Sequence, residues 1–351
     1  MQVLRKWMNS RWMLGLALAI SFLIPYLFFR NAGGKEPQYD SWVYTQLSQV
    51  FQQKGLFHFR DYALENGGAY RGYLLPWLIA LGEATSRLSP LLDYGFWVSL
   101  MCAATCALAV PALMESVFRI KASPFRRVWI AGLFTLLFQG LLLYALSDLW
   151  AAGFGIMAMA ALLRAVGEEP KPLWSRILWS LGCGVCLGAA YNIRTIYLLL
   201  WGVAALVIGV YTLRRQGAEW RARLLWLPAM ALGLGLISLP QIISNAIVYQ
   251  SASPLLMSEE GSSLFTYQLY NGIYEQKFES NIGVDYWEET VDYADDAGML
   301  ICNEEGLEPT FEFNDGTPYF ESVGEYVELA LRHPLDFLGV YGRHLIGRAH
   351  V

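Results

Sequence analysis

Long apolar runs, set apart by short polar stretches, dominate this chain. They fall at about 12–30, 94–117, 127–147, 149–166, 175–192, 195–213 and 223–247. Each approaches the roughly 20 residues that an α-helix needs to cross a hydrocarbon core about 30 Å thick. One further run, Gly72 to Leu88, is interrupted by Pro76, Gly82, Glu83 and Arg87, and its apolar positions fall on one face. That pattern predicts a helix lying in the membrane surface, not a crossing. The amino terminus carries Arg5, Lys6 and Arg11 before its apolar run and shows no small-residue cleavage site, so it predicts an uncleaved first membrane helix.

Composition agrees. The 351 residues are 55% hydrophobic and only 16% charged, against about 25% charged in soluble proteins. The chain predicts an all-α polytopic membrane protein, multi-pass in the cell inner (plasma) membrane. Basic clusters sit at Arg5/Lys6/Arg11, Arg119/Lys121/Arg126/Arg127, Lys171/Arg176 and Arg214/Arg215/Arg221/Arg223. Short basic loops stay on the cytoplasmic side. Placing all four clusters there makes the helices alternate without a break, provided that 72–88 does not cross. The loop 31–93, the Ser147-Asp148 corner, the Asn192-Ile193-Arg194 corner and the segment from about 248 then share the outer face. Residues 1–247 form the expected transmembrane module and 248–333 an extracytoplasmic loop or subdomain. Residues 334–351 read as the start of a further membrane segment, cut short.

Residues 250–332 hold eighteen acids against two bases, Lys277 and Arg332, with aromatics interleaved. So many aromatics argue against simple disorder. Asp285, Asp295 and Asp296 could offer oxygens to a divalent cation, though no loop of EF-hand type accompanies them. Cys183-x-x-Cys186 lies in an apolar run and reads as small-residue packing. No metal-type Cys/His spacing occurs among four histidines, and no nucleic-acid partner is expected.

Ionisable residues at membrane depth default to a functional hypothesis. Asp40, Asp148, Arg71 and Arg194 all fall at the outer surface. A guanidinium binds phosphate with a planar fork of donors, and a carboxylate near an acceptor hydroxyl can take its proton. Phosphate is already a good leaving group, so one base and a phosphate clamp suffice for an inverting displacement. Plainer roles exist for each. Asp148 could cap the following helix, Arg194 could snorkel to headgroups, Arg71 could anchor the surface helix, and Asp40 could be a loop carboxylate. Tyr39, Trp42 and Tyr70 could line a sugar pocket.

With Tyr39-Asp40-Ser41 after the first helix, the chain resembles the GT-C glycosyltransferases. It is most similar to bacterial protein mannosyltransferases and aminoarabinose lipid A transferases, that is, glycosyltransferase family 39-like proteins. Arg71-Gly-Tyr-Leu-Leu-Pro-Trp77 loosely matches their interfacial helix, Ser147-Asp148-Leu149 a later outer acid, and Arg194 an outer base. The resemblance covers residues 10–215 and Leu239 to Asn245. Ser41 stands where many members carry a second acid, and Pro76 where they carry paired prolines. The resemblance implies a GT-C-like helix bundle with interfacial helices in the first outer loop. It implies a polyprenyl-phosphate sugar donor, inversion, transfer on the periplasmic or extracellular face, and in some members a divalent cation. Asp40 and Asp148 are then the catalytic candidates, and Arg71, Arg194, Tyr39 and Tyr70 the substrate-binding ones. The acceptor, whether lipid, glycan or protein, stays open. A lipid-linked glycan transporter or flippase, or a non-catalytic membrane protein, is the alternative; a transporter would need polar residues deep along the helices, where Gln139 is the main example.

Overall fold

The structure, a computed structural model, describes residues 11–32, 40–65, 71–167, 172–214, 225–257, 263–271, 274–276, 297–299, 320, 322–335 and 337–338. The chain divides into two compact units, Met1–Leu256 and Met257–Val351.

The first unit is helical. Its elements are α1 (Arg11–Ala32), α2 (Asp40–Lys54), α3 (Phe59–Leu64), α4 (Leu74–Ser86), α5 (Tyr94–Phe118), α6 (Pro124–Leu137), α7 (Gln139–Leu143), α8 (Ser147–Val166), α9 (Leu173–Ile193), α10 (Leu198–Arg214) and α11 (Trp226–Val248). Among the described residues, α1, α5, α8, α9 and α11 are long and apolar enough to cross a membrane. Their outward faces support that setting. Leu232, Leu236, Leu239 and Ile243 form a row along α11 and are 43% to 56% exposed. A row of large aliphatic side chains left open to water would be an association surface; lipid tails cover it without penalty. The chain is therefore a helical membrane protein.

Inside the bundle, two apolar clusters form. One joins Tyr44, Leu47 and Phe51 of α2 with Tyr62 of α3, Leu75 and Leu78 of α4, Val98 of α5 and Trp150 of α8. The other joins α8, α9, α10 and α11 through Leu162, Cys183, Leu187, Ile208 and Trp226. Backbones meet along the α9–α11 seam. A methyl group added at Gly184 would lie 1.9 Å from the Met230 carbonyl oxygen, and one at Gly233 would lie 2.1 Å from that of Leu181. Small residues permit such approach where lipid supplies no hydrophobic drive. Cys183 packs there as a free, buried thiol.

Helix ends show which elements share one end of the bundle. The Arg30 guanidinium at the end of α1 donates to Asp93 at 2.9 Å, and Asp93 caps α5 by accepting from the Phe96 N–H. The chain thus leaves α1 and enters α5 at the same end. The intervening α4 has 13 residues, about 20 Å at roughly 1.5 Å per residue, too short to cross. It is more enclosed than a surface helix with one apolar face, because α2 and α5 cover it. Leu74, Leu75, Pro76, Leu78, Ala80 and Gly82 are all buried.

The expected span 127–147 is corrected in one respect. It is not one helix: α6 stops at Leu137, Phe138 leaves helical geometry, and the short α7 follows. Gly140 just after the break costs a helix about 1 kcal/mol relative to alanine, and Gln139 is exposed with its amide on the Leu136 carbonyl. Within α5, residues Ala104–Ala109 take π-helical form just before Pro111. Proline cannot donate to the carbonyl four residues back, that of Ala107, and the Arg127 guanidinium of α6 donates to it instead.

In the second unit, α12 (Leu264–Asn271) precedes two three-residue strands, β1 (Tyr274–Gln276) and β2 (Ala297–Met299), which pair antiparallel. Helix α13 (Val323–Arg332) starts with a Ser322 cap on the Glu325 N–H. Tyr326 packs edge-on between Phe320 and Phe337, at 5.4 Å from each ring. Most of the acidic stretch, including Asp285, Asp295, Asp296 and Cys302, lies outside the described residues, as does all but 334, 335, 337 and 338 of the further membrane segment expected over 334–351.

Candidate active site

Polar side chains gather at the end of the first unit where α1 finishes. A chain of three buried carboxamides holds this end together. Asn192, at the end of α9, accepts from the Leu74 N–H at 2.9 Å and donates to Gln241 of α11 at 3.2 Å. Gln241 donates to Asn245 at 3.0 Å. Asn245 donates to the Ser253 and Leu255 carbonyls at 2.7 and 2.6 Å. All three are at most 3% exposed, and each printed bond satisfies a group that would otherwise be costly to bury. The Tyr191 hydroxyl, next to Asn192, accepts the Leu256 N–H at 2.9 Å.

The segment before α4 is fixed by the same hub. Gly72 has φ +72°, and an added methyl would lie 1.9 Å from the Asn192 carbonyl oxygen. Only glycine takes that left-handed conformation beside another backbone without strain. The Gly72 carbonyl accepts from Tyr62 at 2.6 Å, and Tyr73 donates to the Ile237 carbonyl at 2.5 Å. Burial pushes the Tyr73 phenol above its ordinary range, so it stays a donor through neutral pH. Arg71, one residue earlier, is therefore held tightly at its backbone. Its guanidinium lies over the Tyr44 ring, 6.0 Å from the centroid, near enough for a cation–π contact.

Tyr44 belongs to α2, one turn on from Asp40, which opens that helix. The first turns of α2 and Arg71 are thus neighbours. Of Asp40 the structure describes only the backbone, and Tyr39 and Tyr70 lie outside the described residues.

Asp148 and Arg194 form an ion pair across α8 and the end of α9. Asp148 sits in the first turn of α8 and makes no side-chain cap; the residue preceding the helix is Leu146. Arg194 follows the last turn of α9 in extended backbone, with its N–H on Ala190 at 2.9 Å. A short 3₁₀ turn, Thr195–Tyr197, then leads into α10. The two side chains are 44% and 46% exposed, open to a ligand. Trp150, one half-turn beyond Asp148, donates to the Tyr94 hydroxyl at 2.8 Å, which ties α8 to the start of α5.

Arg71, the start of α2, Arg194 and Asp148 thus share one end of the bundle, linked through Asn192. Such a set can bind a phosphate with guanidiniums and take a proton with a carboxylate. The residues that place it, Gly72, Asn192, Gln241, Asn245 and Tyr44, were not singled out from sequence. Their signal was present: three carboxamides at the ends of otherwise apolar helices. Among the described residues no group of three His, Cys, Asp or Glu side chains could hold a metal ion. No family model, curated protein or solved structure matches the chain.

Proposed function

We propose that the chain is a membrane glycosyltransferase of GT-C kind that moves a sugar from a polyprenyl-phosphate donor to an acceptor hydroxyl. Asp40 is the general base of this reading, and Arg71 and Arg194 receive the phosphate. Asp148 is the second carboxylate. The basic loops support an outer-face site in the plasma membrane, since short basic loops stay on the cytoplasmic side. The observation that supports this best is the Leu74–Asn192 bond, which joins the Arg71 segment and the Arg194–Asp148 pair at one end of a lipid-embedded bundle. Guanidiniums there neutralise charge as the lipid phosphate leaves.

The test is transfer from polyprenyl-phosphate sugars to membrane extracts, with wild type and Asp40→Asn side by side. A positioned base contributes about 10²–10⁴ in rate, so the variant is expected to lose at least about a hundredfold while still binding donor. Unchanged turnover in the variant removes Asp40 from the mechanism.

A transporter for lipid-linked glycans is the second reading, favoured by buried polar groups inside the bundle. Those groups, Asn192, Gln241 and Asn245, bond to one another and to backbone. They brace the bundle. Glycan appearing across a vesicle bilayer with its lipid linkage intact decides for the transporter.

A further inference from the structure

We propose that Asp148 is an internal competitor for phosphate: it occupies Arg194 in the free protein, and the phosphate of a polyprenyl-linked ligand displaces it on binding. The inference rests on the transferase reading and adds how that site is kept closed and then opened. Three observations carry it.

The pair is half-exposed on both sides, and an ion pair in contact with water is weak enough to exchange. A planar guanidinium bonds a phosphate through the same two parallel N–H donors that it offers a carboxylate, so one anion can take the other's place. The backbone is also fixed under both partners. Asn192 is locked to Leu74 and Gln241, the Arg194 N–H is bonded to Ala190, and Trp150 holds α8 to Tyr94. Exchange therefore needs side-chain rotation and no helix movement. Once displaced, the Asp148 carboxylate is free of its cation and stands beside the bound phosphate, available to the acceptor only when donor is present. In the empty site the pair keeps Arg194 from stray anions.

The experiment measures binding by the full chain in nanodiscs, without reference to turnover. The probes are a polyprenyl monophosphate, inorganic phosphate, and vesicles of phosphatidylglycerol. Asp148→Asn removes the competing charge at equal size. It is expected to tighten polyprenyl-phosphate binding about two- to fivefold, the range set by a solvated ion pair. Arg194→Gln is expected to weaken it about tenfold, the loss of one charge-assisted phosphate contact. Adding Asp148→Asn to Arg194→Gln is expected to change nothing further. Tightening for inorganic phosphate as well assigns recognition to the phosphate group alone. Tightening for the polyprenyl monophosphate only assigns it to phosphate on a polyprenyl carrier, and tightening for phosphatidylglycerol only overturns the proposal, because the ligand is then a bulk membrane lipid. Unchanged or weaker binding by Asp148→Asn also overturns it, since a purely structural pair predicts loss. Tighter phosphate binding without any sugar transfer would sink the transferase reading and leave the exchange standing.

Discussion

At the scale of single residues, two glutamines of similar apparent interest behave differently. Gln139 and Gln241 both interrupt apolar runs, and sequence alone favoured Gln139. The structure leaves Gln139 exposed at a helix break and buries Gln241 between two carboxamides. Gln241→Leu would strand a buried donor and a buried acceptor, at about 1–3 kcal/mol for such groups. Gln139→Leu should stay within about 0.5 kcal/mol. Thermal unfolding of the two variants in detergent checks the contrast, and equal midpoints would remove the carboxamide chain as a stabilising device. Gly72→Ala belongs to the same test. Left-handed backbone alone costs about 1–2 kcal/mol for a residue with a β-carbon, and the Asn192 carbonyl leaves that carbon no room. The three carboxamides stand in the sequence at helix ends, but their joining does not, because Asn192 and Gln241 are 49 residues apart on different helices. Each read alone is only a polar residue near a helix end.

Among elements, the long helices were legible because burial in lipid leaves a one-dimensional signature. The expected runs at 94–117, 149–166 and 175–192 meet observed helices at Tyr94–Phe118, Ser147–Val166 and Leu173–Ile193. Pairing between elements leaves no such trace, so the Asp148–Arg194 bridge, 46 residues apart, emerged only from the fold. The π-helical stretch of α5 makes a cross-element prediction. Arg127 serves the Ala107 carbonyl that Pro111 cannot. Arg127→Met should destabilise by about 1–3 kcal/mol. Combined with Pro111→Ala, which restores a backbone donor, the loss should shrink. A double-mutant cycle on unfolding midpoints reads this directly, and strict additivity would mean that Arg127 acts through something other than that carbonyl.

For the whole molecule, the pairing of α1's end with α5's start fixes the path of the first loop. In a variant lacking native cysteines, thiols placed at Gln53 and Arg87 should react with an impermeant maleimide from one side of the membrane, and Lys121→Cys from the other. Arg87 and Gln53 reacting from opposite sides would mean that α4 crosses after all. The seven-run pattern expects the same path from charge alone, because Arg119, Lys121, Arg126 and Arg127 lie in one short loop, and such loops stay on the cytoplasmic side. It did not foresee that α4 would be enclosed by α2 and α5, since a helix packed in protein and one lying on lipid present similar apolar runs.

The carboxamide hub also sets an order in time. The Leu74 N–H waits for an acceptor 118 residues further along, and Tyr73 for one 164 residues further. At about 5–20 residues per second of synthesis, the second wait lasts roughly 8–33 s. Through that interval the segment carrying Arg71 has been made and has its earlier neighbours Tyr44 and Tyr62, but not its bonds to α9 and α11. This end of the bundle is thus its last part to set, completed when α11 arrives, so a chain stalled before Gln241 would carry most of the candidate site residues and still lack the brace that holds them in place.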